Sequence, residues 1–398
     1  MKILVITPRF PFPVVGASES DRAFGIRQFI RLGYEVKVIT KISADRLVNV
    51  EPIKKELGID IYPITYKFIR SRWPEAKKYL KILLTRPYFL DGAAQEYSDP
   101  ELVSKFTEIL KTWQPDYVWL DMTFMWPLIK YVDKSKTKII IRSQAYEPQH
   151  FIEEEGWSLK HFWQYLGKLY SERQAAPGAD IVVAITPEEE KIYQKLGAKK
   201  TATLALRGLP SLLKNKRVIS QSFPLHVFFA GSTYGVKHNR KALEFLLKKI
   251  IPLVNNQAPG KFIFHIIGRK FPQAFQPYVT DNVAVANFVP DYEAAMVNMD
   301  IALIPNLAGR GMQQKIFEPL VRGIPVITSS RGLAGYPFED GQHLLLAETA
   351  EEYVAQLLRM QDYQLREKLS IQAIALSQEL FAQNKMDQIV TQAVKNID

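Results

Sequence analysis

The 398-residue sequence contains no cysteine, and this absence excludes several kinds of site. A chain without thiols has no disulfide framework, no thiolate zinc site, no iron–sulfur cluster and no cysteine nucleophile. Two phosphate-binding motifs are absent as well. Without G-x-G-x-x-G a nicotinamide-type site is unsupported, and without G-x-x-x-x-G-K-[ST] a P-loop nucleotide hydrolase is disfavoured.

Residue patterns that hold a metal ion or cross a membrane are also missing. The six histidines never pair at ligand spacing and no aspartates form a D-x-D pair, so we expect no metal site. No uncharged apolar run approaches the ~18 residues that span a bilayer. The apolar run after Lys2 is too short for a secretion signal, so we expect a soluble or peripheral protein of the cytoplasm.

The sequence does contain an excess of positive charge, +11 overall, in a composition that is otherwise typical of a globular protein. Much of it lies in residues 54–88, where nine lysines and arginines accompany only three acidic residues. Such a stretch predicts an anionic partner: a phosphate group, an acidic lipid or a nucleic acid. No recognition module for nucleic acid is visible, which makes that partner the least favoured.

The order of apolar and polar segments predicts an α/β protein with parallel sheets. In the first forty residues a strand at 3–6, a helix at about 19–32 and a strand at 36–39 form a β-α-β unit. Ser18 or Ser20 can cap this helix. The alternation of strands and helices continues along the chain in two successive series, each with a doubly wound, Rossmann-like pattern.

The division of the chain follows from where this alternation stops. Residues 207–224 lose the periodicity and have a proline near each end, which predicts a linker. The predicted segments are an N-terminal domain at 1–206, that linker, a C-terminal domain at 225–376 and a helix at 377–398 that returns to the N-terminal domain. We expect a ligand at the carboxyl ends of the strands, between the two domains.

The most informative stretch is 306–325, NLAGRGMQQKIFEPLVRGIP. A glycine-containing loop follows an apolar strand and leads into a helix near Met312, where backbone N–H groups can bind an anion. Lys315 adds a cation in the first turn, and Glu318 adds a carboxylate on the same face. A cation for phosphate and a carboxylate for paired hydroxyls suit a nucleotide sugar, although the same two side chains can form a simple surface ion pair.

With these residues the chain resembles the retaining glycosyltransferases of the GT-B fold, family 4. The opening MKILVITPRFPFPVVGASES…GIRQFIRLGYEVKVIT is similar to the family's first strand, glycine loop, helix and return strand. FFAGSTYGVKHNRKALEFLLKKIIPLV and FIFHIIGR resemble the start of its donor domain, and K-x-x-E followed by G-x-P-V is the most specific motif. The resemblance covers nearly the whole chain and implies two Rossmann-like domains that face each other across a cleft.

The resemblance also implies roles for the matching residues. Glu318 would bind the nucleotide ribose, Lys315 would lie near the diphosphate, and the loop 308–312 would contact the donor sugar. The donor-binding residues implied in this way are Gly16, Gly231, Ser232, Arg269, Val289, Gly309, Gly311, Met312 and Glu318. No cofactor is implied, because the UDP- or GDP-linked sugar is a co-substrate and because the helix dipole and cations neutralise the leaving diphosphate without a metal.

Two positions depart from the family's pattern. Arg310 stands where the first glutamate of an E-x7-E signature holds a hydroxyl of the donor sugar, and Gln144 stands where relatives often have a histidine. An amide can bind a sugar hydroxyl but cannot act as an acid. We expect Lys315, Arg310 and Gln144 to form the catalytic set, with Arg310 contacting the diphosphate in place of missing basic residues.

The segment 67–89 combines basic and aromatic residues and predicts a helix with one apolar and one cationic face. Family enzymes often use this part of the acceptor domain against lipid-linked substrates. We therefore expect an acceptor-binding or membrane-facing surface formed by Arg72, Trp73, Lys77, Lys78 and Lys81. An ordinary domain helix with a solvated basic face explains the same pattern.

The sequence thus predicts a retaining, metal-independent glycosyltransferase of the hexosyltransferase type, acting on a glycan, a lipid-linked acceptor or a small molecule. Polysaccharide assembly at the inner face of the membrane is the expected setting. The alternative is a catalytically weak nucleotide- or glycan-binding subunit that supports a partner transferase, which Arg310 and Gln144 favour and Lys315 and Glu318 oppose. A sugar-nucleotide epimerase would need a pair of acid and base carboxylates, and the sequence has no clear pair.

Overall fold

The computed structural model of the chain describes residues 1–14, 16–66, 91–395 and 397, which form two compact units. The first unit contains residues 1–208 and the segment from Met386 onward, and the second contains residues 209–385. The segment 67–89, in which a helix is predicted, lies outside the described residues. So do the five residues predicted to face an acceptor or membrane, which are Arg72, Trp73, Lys77, Lys78 and Lys81.

The first unit is a parallel sheet of seven strands in the order β3-β2-β1-β4-β5-β6-β7, with helices in the connections. Its inner strands β1, β4, β5 and β6 are rich in β-branched and aromatic residues and are buried on both faces, as is usual in parallel sheets. The strand order reverses between β1 and β4, which is the topological switch point of the sheet. The elements are β1 (Lys2–Thr7), α1 (Ala17–Arg31), β2 (Glu35–Ile42), a 3-10 helix (Ala44–Asn49), α2 (Val50–Leu57), β3 (Asp60–Thr65), α3 (Gly92–Glu96), α4 (Pro100–Thr112), β4 (Tyr117–Leu120), a 3-10 helix (Thr123–Tyr131), β5 (Lys138–Arg142), α5 (Glu147–Glu155), α6 (Leu159–Gly178), β6 (Ile181–Ala184), α7 (Pro187–Lys195) and β7 (Thr201–Thr203).

The second unit is a parallel sheet of six strands in the order β10-β9-β8-β11-β12-β13, and its switch point lies between β8 and β11. A π-helical turn at Leu246–Ile250 joins α8 to α9. The elements are a 3-10 helix (Leu209–Leu212), β8 (Leu225–Thr233), α8 (Lys237–Phe245), α9 (Ile251–Gln257), β9 (Phe262–Arg269), a 3-10 helix (Gln273–Tyr278), β10 (Val283–Ala286), α10 (Tyr292–Val297), β11 (Ile301–Ile304), α11 (Gln314–Val321), β12 (Val326–Thr328), a 3-10 helix (Ser330–Leu333), β13 (Leu345–Leu346), α12 (Ala350–Arg359), α13 (Tyr363–Phe381) and α14 (Gln383–Lys395), the last of which belongs to the first unit from Met386.

The start of α1 differs from the sequence prediction. Its N-cap residue is Gly16, not a serine, and Ser18 lies within the helix. The Ser18 hydroxyl accepts a hydrogen bond from the guanidinium of Arg22, one turn later in the helix. The prediction of a serine cap is wrong because this hydroxyl is bound to a side chain rather than to the first N–H groups.

The stretch predicted as a linker, 207–224, is attached to the two units at several points. Arg207 is buried in the first unit, where its backbone N–H donates to Asp21 at 2.8 Å. From residue 209 the chain belongs to the second unit, where the Lys214 N–H donates to the carbonyl of Val321 at 3.1 Å. The loss of periodicity therefore marks an irregular segment that is held by hydrogen bonds, because irregular backbone still needs partners for its polar groups.

The C-terminal segment predicted as one helix, 377–398, contains two elements. Helix α13 ends at Phe381, which packs on Phe338 of the second unit with ring centroids 6.3 Å apart. Helix α14 follows, and its Asp387 accepts hydrogen bonds from Gln28 at 2.9 Å and Arg31 at 2.7 Å in the first unit. Periodicity does not reveal this break, because no glycine or proline marks it.

None of the described helices combines the length and the apolar character that crossing a bilayer requires.

Candidate functional site

The predicted donor residues of the second unit follow the strands on either side of its switch point. Gly231 and Ser232 lie near the end of β8, and Asn306 follows β11. Arg269 ends the neighbouring strand β9, where its Nε lies 3.5 Å from the carbonyl oxygen of Ser232. Open α/β sheets bind ligands at this position, outside the carboxyl ends of the strands.

Two glycines of this edge occupy positions that a side chain would disturb. Gly231 is buried, and a Cβ there would lie 3.1 Å from the ring of Tyr234. Gly309 has a φ of +100°, and a Cβ there would lie 2.8 Å from the Nε2 of Gln313. The loop after β11 can therefore follow its path only because it contains glycine.

Lys315 lies in the first turn of α11, as the sequence predicts, and its ammonium group is oriented by neighbours. Its Nζ donates to the Oδ1 of Asn239 at 3.0 Å and lies 5.7 Å from the centroid of the Phe229 ring. The Nδ2 of Asn239 in turn donates to the carbonyl of Thr233 at 3.2 Å, at the end of β8. Asn239 therefore connects the cation of α11 to the turn after β8.

Asn239 is not among the residues predicted from the sequence. Asn239 lies in the first turn of α8, directly after the first strand of the unit. Asn239 is buried, and a buried polar side chain needs a hydrogen-bond partner. A polar residue at this position could therefore have been predicted to contact a neighbouring element.

The loop between β11 and α11 is held by a second amide. The Nε2 of Gln313 donates to the Oδ1 of Asn306 at 2.9 Å and to the carbonyl of Ala308 at 3.3 Å. The hydroxyl of Ser329 donates to the carbonyl of Asn306 at 2.9 Å. Arg310 is half-buried within this loop, and Met312 is buried at its end. The backbone that precedes α11 is thus fixed before any ligand binds.

Glu318 is buried, with a residue exposure of 7%, so the alternative of a surface ion pair with Lys315 is wrong. Its Oε1 lies 2.9 Å from a guanidinium nitrogen of Arg322, and its Oε2 accepts a bond from Gln314 at 2.9 Å. Burial, and secondarily the charge of Glu318, raises the pKa of Tyr292 well above its usual value. Because each carboxylate oxygen has two lone pairs, Glu318 retains acceptor capacity for hydroxyl groups.

Val289 lies half-buried in the loop between β10 and α10. Gly311, with a φ of +75°, lies in the loop before α11.

The two predicted residues of the first unit, Gly16 and Gln144, lie at the start of α1 and in the loop after β5. The Oε1 of Gln144 accepts a bond from Arg22 at 3.1 Å, and its Nε2 donates to Asp21 at 3.2 Å. Burial alone would raise the pKa of Asp21, but Arg207 and Arg142 hold it far below the usual range. Gln144 is thus oriented by charged groups that the sequence analysis did not anticipate.

A buried carboxyl group lies elsewhere in the first unit. The Oε1 of Glu172, on α6, accepts bonds from the hydroxyl of Thr123 at 2.9 Å and from the N–H of Glu147 at 3.3 Å. Burial, and secondarily the charge of Glu147, raises the pKa of Glu172 to about 8. The group is therefore protonated at neutral pH.

Comparison with known proteins identifies the second unit. Residues 224–362 match the family model described as "Glycosyl transferases group 1". The match shows that this segment is similar to a glycosyltransferase domain. The match includes Gly231, Lys315 and Glu318, and it confirms the expectation of a glycosyltransferase. No curated protein matches the sequence.

Solved structures show that the complete chain has the GT-B fold. HepE from Anabaena, solved in complex with UDP, is 15% identical with a TM-score of 0.69 over 100% of both chains. Sucrose-phosphate synthase from Thermosynechococcus elongatus is 15% identical with a TM-score of 0.71 over 100% of this chain and 99% of that chain. TarM is 10% identical with a TM-score of 0.69 over 99% and 98%. These likenesses confirm the predicted pair of Rossmann-like domains.

Proposed function

We propose that this protein transfers a sugar from a nucleotide-sugar donor to a glycan, a lipid-linked molecule or a small molecule, with retention of the anomeric configuration and without a metal ion. The observation that carries the proposal is the fixed ammonium group of Lys315, held 3.0 Å from Asn239 at the switch point of the second sheet. Structures of Anabaena HepE with UDP, with UDP and glucose, and with UDP-glucose support a nucleotide-sugar donor.

The cation and the helix would act together on the leaving diphosphate. Lys315 and the N–H groups at the start of α11 place positive charge where the diphosphate becomes more negative as the glycosidic bond breaks. Because Lys315 is already oriented by Asn239, little reorganisation is needed during the reaction. The buried carboxylate of Glu318, one turn further, would accept hydrogen bonds from the ribose hydroxyls.

Arg310 would add a second cation at the same diphosphate. It lies in the glycine-containing loop that leads into α11, between Gly309 and Gly311, which both have a positive φ. Gln144 would bind a sugar hydroxyl through its amide, which can donate and accept but cannot protonate a leaving group. Retention is supported by the resemblance to retaining enzymes stated in the sequence analysis.

The basic stretch of the sequence indicates the setting in which the protein would act. The excess of six positive charges in residues 54–88 favours an acidic membrane surface or a lipid-linked acceptor during polysaccharide assembly. The alternative function, a nucleotide- or glycan-binding subunit that supports a partner transferase, is favoured by Arg310 and Gln144 at positions where relatives have other residues.

Calorimetric titration with UDP, GDP, UDP-glucose and GDP-mannose tests the proposal, followed by donor hydrolysis in the presence of a chelator. We expect one nucleotide series to bind, and slow hydrolysis that releases the sugar with the donor's anomeric configuration, observed by NMR. Binding without any turnover, even with a range of glycan acceptors, would favour the supporting subunit. Binding of no nucleotide would contradict both functions.

A further inference from the structure

Five charged side chains are buried together in the first unit, beside the switch point between β1 and β4. Two come from α1, one follows β4, one ends β5 and one follows β7. They are Asp21, Arg22, Asp121, Arg142 and Arg207, which we call the switch-point cluster. None of the five is more than 5% exposed. Their place at the carboxyl edge of the sheet is where such folds bind ligands.

The two carboxylates of the cluster are engaged by two of its arginines. Asp21 accepts bonds from the Arg207 backbone N–H at 2.8 Å and guanidinium at 3.0 Å, and it lies 3.3 Å from Arg142. Asp121 accepts a bond from the Nε1 of Trp119 at 2.8 Å and lies 3.5 Å from Arg207. These contacts balance two positive and two negative charges.

Arg22 is the positive charge left over. Its guanidinium donates to the hydroxyl of Ser18 and, at 3.1 Å, to the amide oxygen of Gln144, and both groups are neutral. In the described part of the chain, no ion pair within 4.0 Å includes Arg22. Its buried Nε also has no hydrogen-bond partner there. Burial lowers the pKa of Arg22 as a result, despite the more distant charges of Asp121 and Asp21.

A buried cation without an adjacent anion is unfavourable unless a ligand supplies the negative charge. The surroundings of Arg22 leave room for that ligand to approach, because Ser18 is exposed and Gln144 is half-buried. Gly16, the N-cap residue of α1, has no side chain that could occupy the start of the helix. An anion at this place would also be favoured by the dipole of the 15-residue helix.

We propose that Arg22 binds an oxyanion, a phosphate or a carboxylate group, that is carried by the acceptor substrate. The guanidinium offers paired N–H donors that match either group, with Gln144 and Ser18 as neutral partners beside it. The assignment of this oxyanion to the acceptor rests on the proposed function. The anion site itself is independent of that function, because it is inferred from the charges of the first unit alone.

The test compares the wild-type protein with Arg22→Gln and with a matched control, Arg9→Gln. Arg9 lies near the same edge, but its side chain is 57% exposed and is paired with Glu19 at 3.1 Å. The probes are inorganic phosphate, glucuronate and, as the neutral counterpart, glucose. We expect phosphate or glucuronate to bind the wild type and Arg9→Gln with the same affinity. The same anion should bind Arg22→Gln at least ~10-fold more weakly. Glucose should show no difference among the three proteins. If phosphate binds more tightly than glucuronate, the acceptor is phosphorylated. If glucuronate binds more tightly, the acceptor is an acidic sugar.

Thermal melting in a buffer without these anions separates binding from a structural role. Because Arg22→Gln removes an unbalanced charge, we expect it to melt no lower than the wild type. Arg207→Gln, which takes a guanidinium away from both Asp21 and Asp121, should melt lower. Equal anion binding by wild type and Arg22→Gln, or a clear destabilisation of Arg22→Gln, would overturn the proposal. So would loss of UDP affinity in Arg22→Gln, because the oxyanion would then belong to the donor. If phosphate binds the wild type at least ~10-fold more tightly than Arg22→Gln and no nucleotide binds, the proposed function fails and the anion site stands.

Discussion

The guanidinium of Arg322 lies 2.9 Å from the buried carboxylate of Glu318 and at the same time binds the carboxylate of Glu293. The two acids share one partner but differ in exposure, since the side chain of Glu318 is 9% exposed and that of Glu293 is 60% exposed. Glu293 therefore neutralises part of the charge of Arg322, and Glu318 remains able to accept further hydrogen bonds. This pair provides a matched test of whether Glu318 binds a ligand.

Replacing Glu318 with glutamine should weaken nucleotide binding, whereas the same change at Glu293 should not. The amide of Glu318→Gln offers one acceptor oxygen in place of two, so we expect the Kd for the cognate nucleoside diphosphate to rise ~10-fold or more. Glu293→Gln also removes a carboxylate from Arg322 and so controls for disturbance of that arginine. Calorimetric titration of both variants measures the difference. Equal loss of affinity in the two variants would show that Glu318 acts only through Arg322.

Lys315 and Asn239 should behave as a coupled pair. Removing the ammonium group in Lys315→Met should slow donor hydrolysis ~10²–10³-fold, because a preorganised charge on the leaving group is lost. Asn239→Ala should have a smaller effect, since the ammonium group remains but loses its 3.0 Å contact. In the double variant the second change should add little. Strictly additive effects would mean that Asn239 does not orient Lys315.

Arg310 stands where the resembling family has the first glutamate of its E-x7-E signature, and its role can be tested. If it contacts the diphosphate, Arg310→Ala should weaken binding of the nucleoside diphosphate ~10-fold and should leave binding of the nucleoside unchanged, because only the phosphate contact is lost. Arg310→Lys, which keeps the charge, should recover part of the affinity. Arg240→Ala, at an exposed position on α8, is the control. An unchanged affinity in Arg310→Ala contradicts the role.

Much of the fold could be predicted because parallel strands and their helices leave direct traces in the sequence. Buried β-branched runs such as Ile139–Ile141 and Val182–Val183 marked strands β5 and β6, and the glycine-containing loop before α11 marked a helix start. Two details could not be predicted, for a common physical reason. The break at Ala382 and the hydrogen bonds made by the segment 207–224 depend on which unit each side chain packs against, and periodicity carries no such information.

The candidate site was predictable only in part. Lys315 and Glu318 could be assigned because helical spacing and the resemblance both indicated them. Asn239 and Arg22 could not, because each acts through a partner that is far away in the sequence, Asn239 through Lys315 and Arg22 through Gln144. A pair separated by 76 or 122 residues has no periodic trace, so it becomes visible only when the chain is folded.

Glu172 should make stability depend on pH. Its pKa in the folded protein, about 8, is above the ordinary value of 4.5, so the folded state binds the proton more tightly than the unfolded chain. The stability contributed by this proton is fully present below about pH 4.5, falls as the pH rises, and is lost above about 8. Each unit of difference in pKa corresponds to ~1.4 kcal/mol, so the loss amounts to a few kcal/mol at most.

The variant Glu172→Gln removes this dependence, because an amide resembles the protonated acid in size and cannot ionise. We expect the variant to gain stability relative to the wild type as the pH is raised from 6 to 9, measured by urea unfolding at each pH. Glu190→Gln, on α7, controls for the effect of an amide substitution in the same unit. The stability gain of the variant is its free energy of unfolding minus that of the wild type. If this gain stays constant or shrinks as the pH rises, Glu172 is already ionised in the folded protein.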